Sequence, residues 1–371
     1  MSDFVVSARK YRPQTFDTVV GQKSITGTLK NAIKKEHLAQ AFLFCGSRGV
    51  GKTTTARILA KTINCTQRTE NTEACDKCDS CESFNSGASL NVYELDAASN
   101  NSVEDIRGLI DQVRIAPQLG DFKVYIIDEV HMLSTSAFNA FLKTLEEPPK
   151  HAIFILATTE KHKIIPTILS RCQIFDFSRI TVKDITEHLA EISKKEKVKA
   201  QIEALHLIAM KADGALRDAL SVFDQMVTFS GNELTYNQVI ENLHILDYDY
   251  FFKFVDFTEK EDIPGSLLLF NEILEKGFDA HNFLSGLSTH YRNLLVCKDD
   301  RSATLLEVPE QTQKRYIEQS KGIPYHTITR ALYALSKADN TYKSSKNPRL
   351  LVEVALMELC SLKQEQEKKK P

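Results

Sequence analysis

Gly46-Ser47-Arg48-Gly49-Val50-Gly51-Lys52-Thr53 follows a short apolar run and opens a stretch of helical periodicity. Glycines at these intervals let backbone N–H groups turn inward around a phosphate, and a helix N-terminus adds partial positive charge. In a strand-to-helix context this G-x-x-x-x-G-K-T spacing specifies a nucleoside-triphosphate cradle, and a Gly-rich turn with a chance lysine is the weaker alternative. Residues 46–54, Thr54 included, would wrap the nucleotide. Lys52 would reach the β- and γ-phosphates of ATP, and Thr53 would coordinate Mg²⁺. A second apolar run, 123–127, ends in Asp128-Glu129. Alone, an acidic pair at a strand end is often only a polar boundary. Beside the cradle, Asp128 would hold Mg²⁺ through water and Glu129 would orient and deprotonate the attacking water. A third run, 153–157, ends in Thr158-Thr159. One of these hydroxyls, with Thr159 preferred, would touch the γ-phosphate or the lytic water, although threonine is also an ordinary strand residue.

The chain has eight cysteines, and four of them, Cys65, Cys75, Cys78 and Cys81, fall within seventeen residues. Two C-x-x-C steps let thiolates converge on one tetrahedral ion, and a full set of four leaves no open position, so a structural Zn²⁺ centre is expected. A four-thiolate iron–sulfur cluster is the alternative. The ion would organise a polar loop, 66–80, that has too few apolar residues for a core of its own. Cys45, Cys172, Cys297 and Cys360 are scattered and read as small buried hydrophobes.

These residues need a scaffold, and the pattern around them supplies one. Strands are expected at 42–45, 91–95, 123–128, 152–158 and 173–177. Between them lie helices at 52–64, from Ser102 onward, and from Ser134 to the stop at Pro148-Pro149. Short apolar strands alternating with helices predict a doubly wound α/β domain with a parallel sheet. After Arg179 strand patterns give way to helices, with Thr181 and Asp184 as an N-cap and first-turn acid. Further on, Ile263, Leu267, Phe270 and Leu274 share a helical face, as do Ile328, Leu332 and Leu335, and Leu350, Val354 and Met357. The expected organisation is an α/β domain over 1–179 with the cysteine insertion at 65–81, a small helical lid over 180–243, an all-α domain over 244–362 and a charged tail over 363–371. At 371 residues the chain is long enough for several domains. A net charge of −2 argues against coating nucleic acid by bulk charge but leaves local phosphate sites open. With no apolar run of about eighteen residues and no signal-peptide core in 1–10, a cytoplasmic location is expected.

Longer strings carry a likeness. Ser170-Arg171-Cys172 after Pro166-Thr167-Ile168-Leu169, Gly214-Ala215-Leu216-Arg217-Asp218, the opening 8–16 with Val19-Val20-Gly21-Gln22, His131-Met132-Leu133, and Leu145-Glu146-Glu147-Pro148-Pro149 resemble the AAA+ clamp-loader ATPases of bacterial DNA polymerase III over about residues 8–225. The resemblance implies that Arg171 is a finger acting on ATP in a neighbouring subunit, and that Arg217 senses the γ-phosphate of its own site. It places Tyr11, Val19 and Val20 at the adenine and makes the last helical domain a collar that holds several copies in a ring. It also implies the partners: further copies of this chain (three per loader), delta and delta-prime subunits, the beta sliding clamp and primer–template DNA. Longer forms of such subunits carry a tail for polymerase and helicase. Ser102 and Arg107 are candidate contacts to template phosphates. A branch-migration motor would share the P-loop and arginines without needing the cysteine insertion. A non-hydrolysing scaffold would tolerate loss of Lys52, Thr53, Asp128 and Glu129, all of which are present. A small-molecule kinase would leave the helical third unexplained.

Overall fold

The computed structural model describes residues 5–117, 120–243, 246–299, 301–306, 308 and 310–362. The expected tail, 363–371, lies outside them. The chain divides into two compact units, 1–234 and 235–371.

In the first unit, α1 (Lys23–Lys34), β1 (Ala41–Cys45), α2 (Lys52–Ile63), α3 (Asp79–Asn85), β2 (Val92–Asp96), α4 (Val103–Val113), β3 (Lys123–Asp128), α5 (Thr135–Glu146), β4 (Ala152–Thr158), α6 (Pro166–Leu169) and β5 (Gln173–Asp176) follow in order. The five strands form one sheet in the order β2-β3-β4-β1-β5, and every neighbouring pair is parallel. Side chains alternate across the pleat, so Phe42 and Phe44 join Val124, Ile126, Ile153 and Ile155 on the face covered by α1 and α2. Leu43, Tyr125, Ile127, Phe154 and Leu156 pack on the other face against Ile106 and Leu109 of α4 and Phe138 and Phe141 of α5. The α/β doubly wound expectation thus holds, with three strands differing by a residue: β1 begins at 41, β5 ends at 176, and β2 spans 92–96, not 91–95. As an edge strand it is half-buried, which weakens its apolar signal.

Three lid helices follow in the same unit: α7 (Val182–Lys195), α8 (Ile202–Lys211) and α9 (Leu216–Ser230). The Thr181 hydroxyl accepts from the Asp184 N–H at 3.1 Å, starting α7. Strands do not vanish after Arg179. Lys199–Ala200, between α7 and α8, pairs in parallel with Glu233–Leu234, just after α9. Two-residue strands carry too little periodicity to register in sequence.

The second unit contains α10 (Tyr236–Leu243), α11 (Tyr248–Glu259), α12 (Ile263–Glu275), α13 (Ala280–Val296), α14 (Glu310–Gly322), α15 (Tyr325–Tyr342) and α16 (Pro348–Ser361). Helix α10, expected in the lid, groups with this unit instead. Its periodicity marks a helix but not which core it joins. The buried side of α16 is Val352, Ala355, Leu356 and Leu359, whereas Leu350 and Val354, expected on a core face, are half-exposed. Of the four scattered cysteines, Cys45, Cys297 and Cys360 are buried, and Cys172 is only partly so.

His290 on α13 is 1% exposed, with Phe252 and Tyr316 rings at 4.7 Å and one hydrogen-bond partner, Gln319. Burial pushes its pKa down to about 3. The folded pKa lies below the unfolded value, so the stability it contributes is full above about pH 6.5 and is lost as pH falls toward 3. By pH 5 the loss amounts to about 2 kcal/mol. Urea unfolding of the full chain, followed by circular dichroism between pH 7 and 5, should show this slope. A His290→Phe variant should flatten it. Equal slopes for both proteins would rule the assignment out.

Candidate nucleotide site and cysteine centre

Because the strands are parallel, the segments leaving β1, β3 and β4 emerge at one edge of the sheet. The order β3-β4-β1 brings together residues that are up to 113 positions apart (Gly46 to Thr159). Gly46 follows β1 where a Cβ would stand 2.6 Å from the Phe177 carbonyl oxygen, and Gly51, with φ 103°, turns the chain into α2. Lys52 is 6% exposed, and its Nζ donates to the carbonyls of Gly46 (2.8 Å) and Ser47 (2.9 Å). Burial pulls the ammonium pKa down, and the carboxylates of Glu129 and Asp128 oppose that. A buried lysine whose hydrogen bonds go to carbonyls and not to a carboxylate keeps its donors exchangeable for phosphate oxygens, which suits a polyphosphate.

Thr53 and Asp128, the two residues assigned to Mg²⁺, meet directly: Thr53 Oγ1 donates to Asp128 Oδ2 at 2.6 Å. This pairing of hard oxygen donors fits a cation that keeps several waters and takes one or two protein ligands. Glu129 sits in a left-handed conformation, φ 47°. Its Oε2 accepts from the Thr159 N–H at 3.2 Å and the Thr159 hydroxyl at 2.9 Å. Of the two threonines ending β4, Thr159 therefore touches the acid. The Thr158 hydroxyl is instead 3.0 Å from His131 Nδ1.

His131 and Arg12 stood in matched strings without an assigned role. The His131 ring is 7% exposed, with Nδ1 3.4 Å from Glu129 Oε2 and Nε2 3.2 Å from Glu160 Oε2. It stands beside the same carboxylate oxygen that Thr159 contacts, and its bond to Thr158 ties it to the end of β4. Arg12 Nε donates to Thr54 Oγ1 at 3.2 Å, tying the opening segment to α2. Gln22 was another such residue: its Nε2 donates to the carbonyl of Ser178 at 2.8 Å. A sequence signal for these positions exists only in their neighbours, since each is a single polar residue.

Val19 is buried, and its Cγ1 stands 3.9 Å from where a Gly51 Cβ would be; Val20 is half-buried. Tyr11 is turned toward the lid, its hydroxyl on Glu196 at the end of α7. Arg217, on the first turn of α9, stands over the cradle: a Cβ on Gly49 would be 3.5 Å from its Cβ. Ser47 and Arg48 are exposed at the loop tip, and Val50 is buried beneath it. Arg171 contacts none of these residues. Its guanidinium bonds Glu146 (2.6 Å) at the end of α5 and the Thr167 carbonyl (2.9 Å) on α6. Ser102 caps α4 with its hydroxyl engaged by Asp105, and Arg107 on that helix is exposed. The Asp105 carboxylate therefore occupies the N-terminus suggested for a phosphate.

The thiol atoms of Cys65, Cys75, Cys78 and Cys81 lie within 4.8 Å of one another, with Cys65 and Cys78 Sγ 4.0 Å apart. A tetrahedron of zinc–sulfur bonds has edges of about 3.8 Å. The donor set and spacing are therefore compatible with zinc. Burial opposes ionisation of Cys78, but the backbone N–H groups of Thr66 and Cys81 and the neighbouring Thr66 and Cys81 side chains outweigh it and bring the thiol down to about 6. Burial pushes the Cys65 and Cys81 thiols up instead, so without a cation only part of the set is disposed to ionise, and a metal ligand must be a thiolate.

A phosphate cradle on β1, an acidic pair on β3 answered by a hydroxyl on β4, and a helical lid carrying an arginine to the cradle belong together in one architecture: the P-loop ATPase of the AAA+ class. Family models match in three stretches: DNA polymerase III, delta subunit, at residues 21–181; DNA polymerase III clamp loader subunit, ATPase lid domain, at 184–232; and DNA polymerase III subunits gamma and tau domain III at 234–371. DNA polymerase III subunit tau of Bacillus subtilis (strain 168) is 39% identical over 95% of this chain and 62% of its own length. DNA polymerase III subunit gamma of Buchnera aphidicola subsp. Baizongia pistaciae is 40% identical over 76% of each chain. The chain belongs to the DNA polymerase III subunit gamma/tau family, and it spans under two thirds of the Bacillus relative. The Thermotoga maritima RuvB Holliday junction branch migration motor is 19% identical with a TM-score of 0.48, covering 67% of this chain and 78% of its own, too distant to carry functional weight. Among the described residues no helix is long and apolar enough to cross a membrane.

Proposed function

We propose that this chain is the ATP-hydrolysing motor subunit of a bacterial clamp loader, acting in the cytoplasm to open the beta sliding clamp and place it on primed DNA. The observation that carries the reading is the completeness of the hydrolytic set: Thr53 on Asp128, and Glu129 held by Thr159, at the edge that also presents Lys52. A scaffold subunit would not need all of these groups.

Residues 46–54 hold the polyphosphate, with Lys52 leaving its two carbonyls for the β- and γ-phosphate oxygens. Thr53 and Asp128 hold Mg²⁺, which when bound neutralises phosphate charge. Glu129 takes the proton of the attacking water, and Thr159 and His131 set the direction of its carboxylate. Val19, Val20 and Tyr11 form the adenine side. Arg217 reads the γ-phosphate from the lid over 180–234, so lid angle follows nucleotide state. Arg171, exposed and held away from its own cradle's residues, completes the site of a neighbouring copy. Hydrolysis then depends on assembly. The cysteine centre holds Zn²⁺ as a closed structural site. The second unit acts as the collar for about three copies with delta and delta-prime subunits, and Arg107 contributes to holding template phosphates.

The test is steady-state ATP turnover of this chain assembled with delta and delta-prime subunits at fixed salt, with and without clamp and primed DNA. Stimulation that requires both clamp and a primer–template junction is expected. Turnover indifferent to the clamp, or raised equally by plain duplex, would move the chain to another kind of AAA+ DNA motor.

A further inference from the structure

Glu73 lies in the loop between Cys65 and Cys75, yet its side chain leaves that loop. The residue is 7% exposed. Its Oε2 accepts from the Phe16 N–H at 3.0 Å, and its Oε1 accepts from the Asp17 N–H at 3.1 Å and from Lys30 Nζ at 2.7 Å. Those two N–H groups open a 3₁₀ turn, Phe16–Thr18, where no partner within the turn is available to them. Removing the carboxylate leaves a near-buried N–H without its acceptor and Lys30 with only Asp17. The turn runs directly into Val19, which packs toward Gly51 at the start of α2.

The loop that presents Glu73 has a small core made mostly of the thiols. Its packed apolar cluster is Cys65, Ala74 and Cys81, with Cys75 and Cys78 beside them. Thr72 and Asp76 take left-handed conformations, φ 60° and 58°, which a free loop would relax. Within it, the Glu73 N–H donates to Thr69 Oγ1 at 3.1 Å, and the Cys75 N–H donates to Cys65 Sγ at 3.2 Å. A second tie reaches the C-terminal end of α2, the helix that the cradle opens, where Lys61 Nζ donates to Asp76 Oδ1 at 2.6 Å.

We propose that the cysteine centre is a brace for the adenine-side segment 16–20, acting through Glu73 as a positioning residue, so that metal occupancy of the centre sets nucleotide affinity. This rests on the nucleotide reading above. With the metal gone the loop loosens, Glu73 withdraws from the Phe16–Thr18 turn, and Val19 no longer closes the site. Groups that act on the γ-phosphate are untouched, so binding weakens and chemistry at saturation does not.

The experiment is equilibrium titration of the full chain with a fluorescent ATP analogue, for wild type and Glu73→Ala, each with zinc and after removal by a strong chelator. Turnover at saturating ATP is measured on the assembled complexes. Glu73→Ala is expected to raise Kd about tenfold, and zinc removal to raise the wild-type Kd by a similar factor. Zinc removal should add nothing further in Glu73→Ala, because both act on one tie. Saturated turnover should stay within about twofold of wild type. An unchanged Kd in the variant, effects that multiply, or a wild-type chain containing no metal overturns the proposal. If Glu73→Ala does not fold, Glu73→Gln, which keeps one acceptor oxygen, replaces it with an expected rise of about threefold. Failure of zinc-loaded wild type to bind the analogue is a separate result that overturns the nucleotide site itself.

Discussion

Glu129→Gln leaves nucleotide binding near wild type and lowers ATP turnover by about 10²- to 10⁴-fold, the usual contribution of a positioned general base. The substitution keeps the shape of the side chain. A carboxamide oxygen can still accept from the Thr159 N–H and hydroxyl, which lie 3.2 and 2.9 Å from Oε2. It cannot accept a proton from water, so the loss falls on chemistry. Lys52, Thr53 and Asp128 are unchanged, so the cradle still binds. Phosphate release and analogue titration, run on one preparation, separate the two quantities. Turnover that survives the change would assign the proton to another group. Loss of binding together with turnover would make Glu129 a structural residue.

Arg171→Ala has the second large effect, and its signature is that it requires assembly. In the isolated chain the guanidinium is held by Glu146 and the Thr167 carbonyl on the exposed ends of α5 and α6. Removing a partly exposed pair of this kind changes folding stability by about 0–1 kcal/mol. The isolated chain should therefore bind nucleotide as wild type does. In the assembled complex, loss of an arginine finger lowers turnover by about 10³- to 10⁵-fold. Arg171→Lys should not restore it, because a single ammonium does not reproduce the planar fork of donors. Equal turnover of variant and wild-type complexes would show that the arginine serves only its bond to Glu146.

How far the sequence could be read differs from element to element, for physical reasons. The cradle was legible because its chemistry is local. Glycine spacing, Lys52 and Thr53 act within one strand-to-helix turn, so eight consecutive residues carry the information. The cysteine centre was legible in the same way, since its thiols converge within seventeen residues. The α/β class followed from short apolar strands between helical periods, because a strand buried on both faces has almost no alternative composition.

Long-range partnerships were not legible. Thr158 and Thr159 are chemically identical, and although Thr159 is the preferred one, its partner Glu129 and the pairing of Thr158 with His131 emerge only where the end of β4 lies beside β3. Glu73 reads as one more charge in a polar loop until folding brings Phe16 and Lys30 to it. Helix α16 bears apolar residues around much of its circumference, so Leu350 with Val354 and Val352 with Leu356 fit a helical period equally well. Packing against neighbouring helices buried the second pair and left the first half-exposed. Residue type and spacing along the chain therefore determined which chemistry this protein carries. Which of several equivalent side chains performs it depended on contacts between segments far apart in sequence, whose energies exist only once the core has formed.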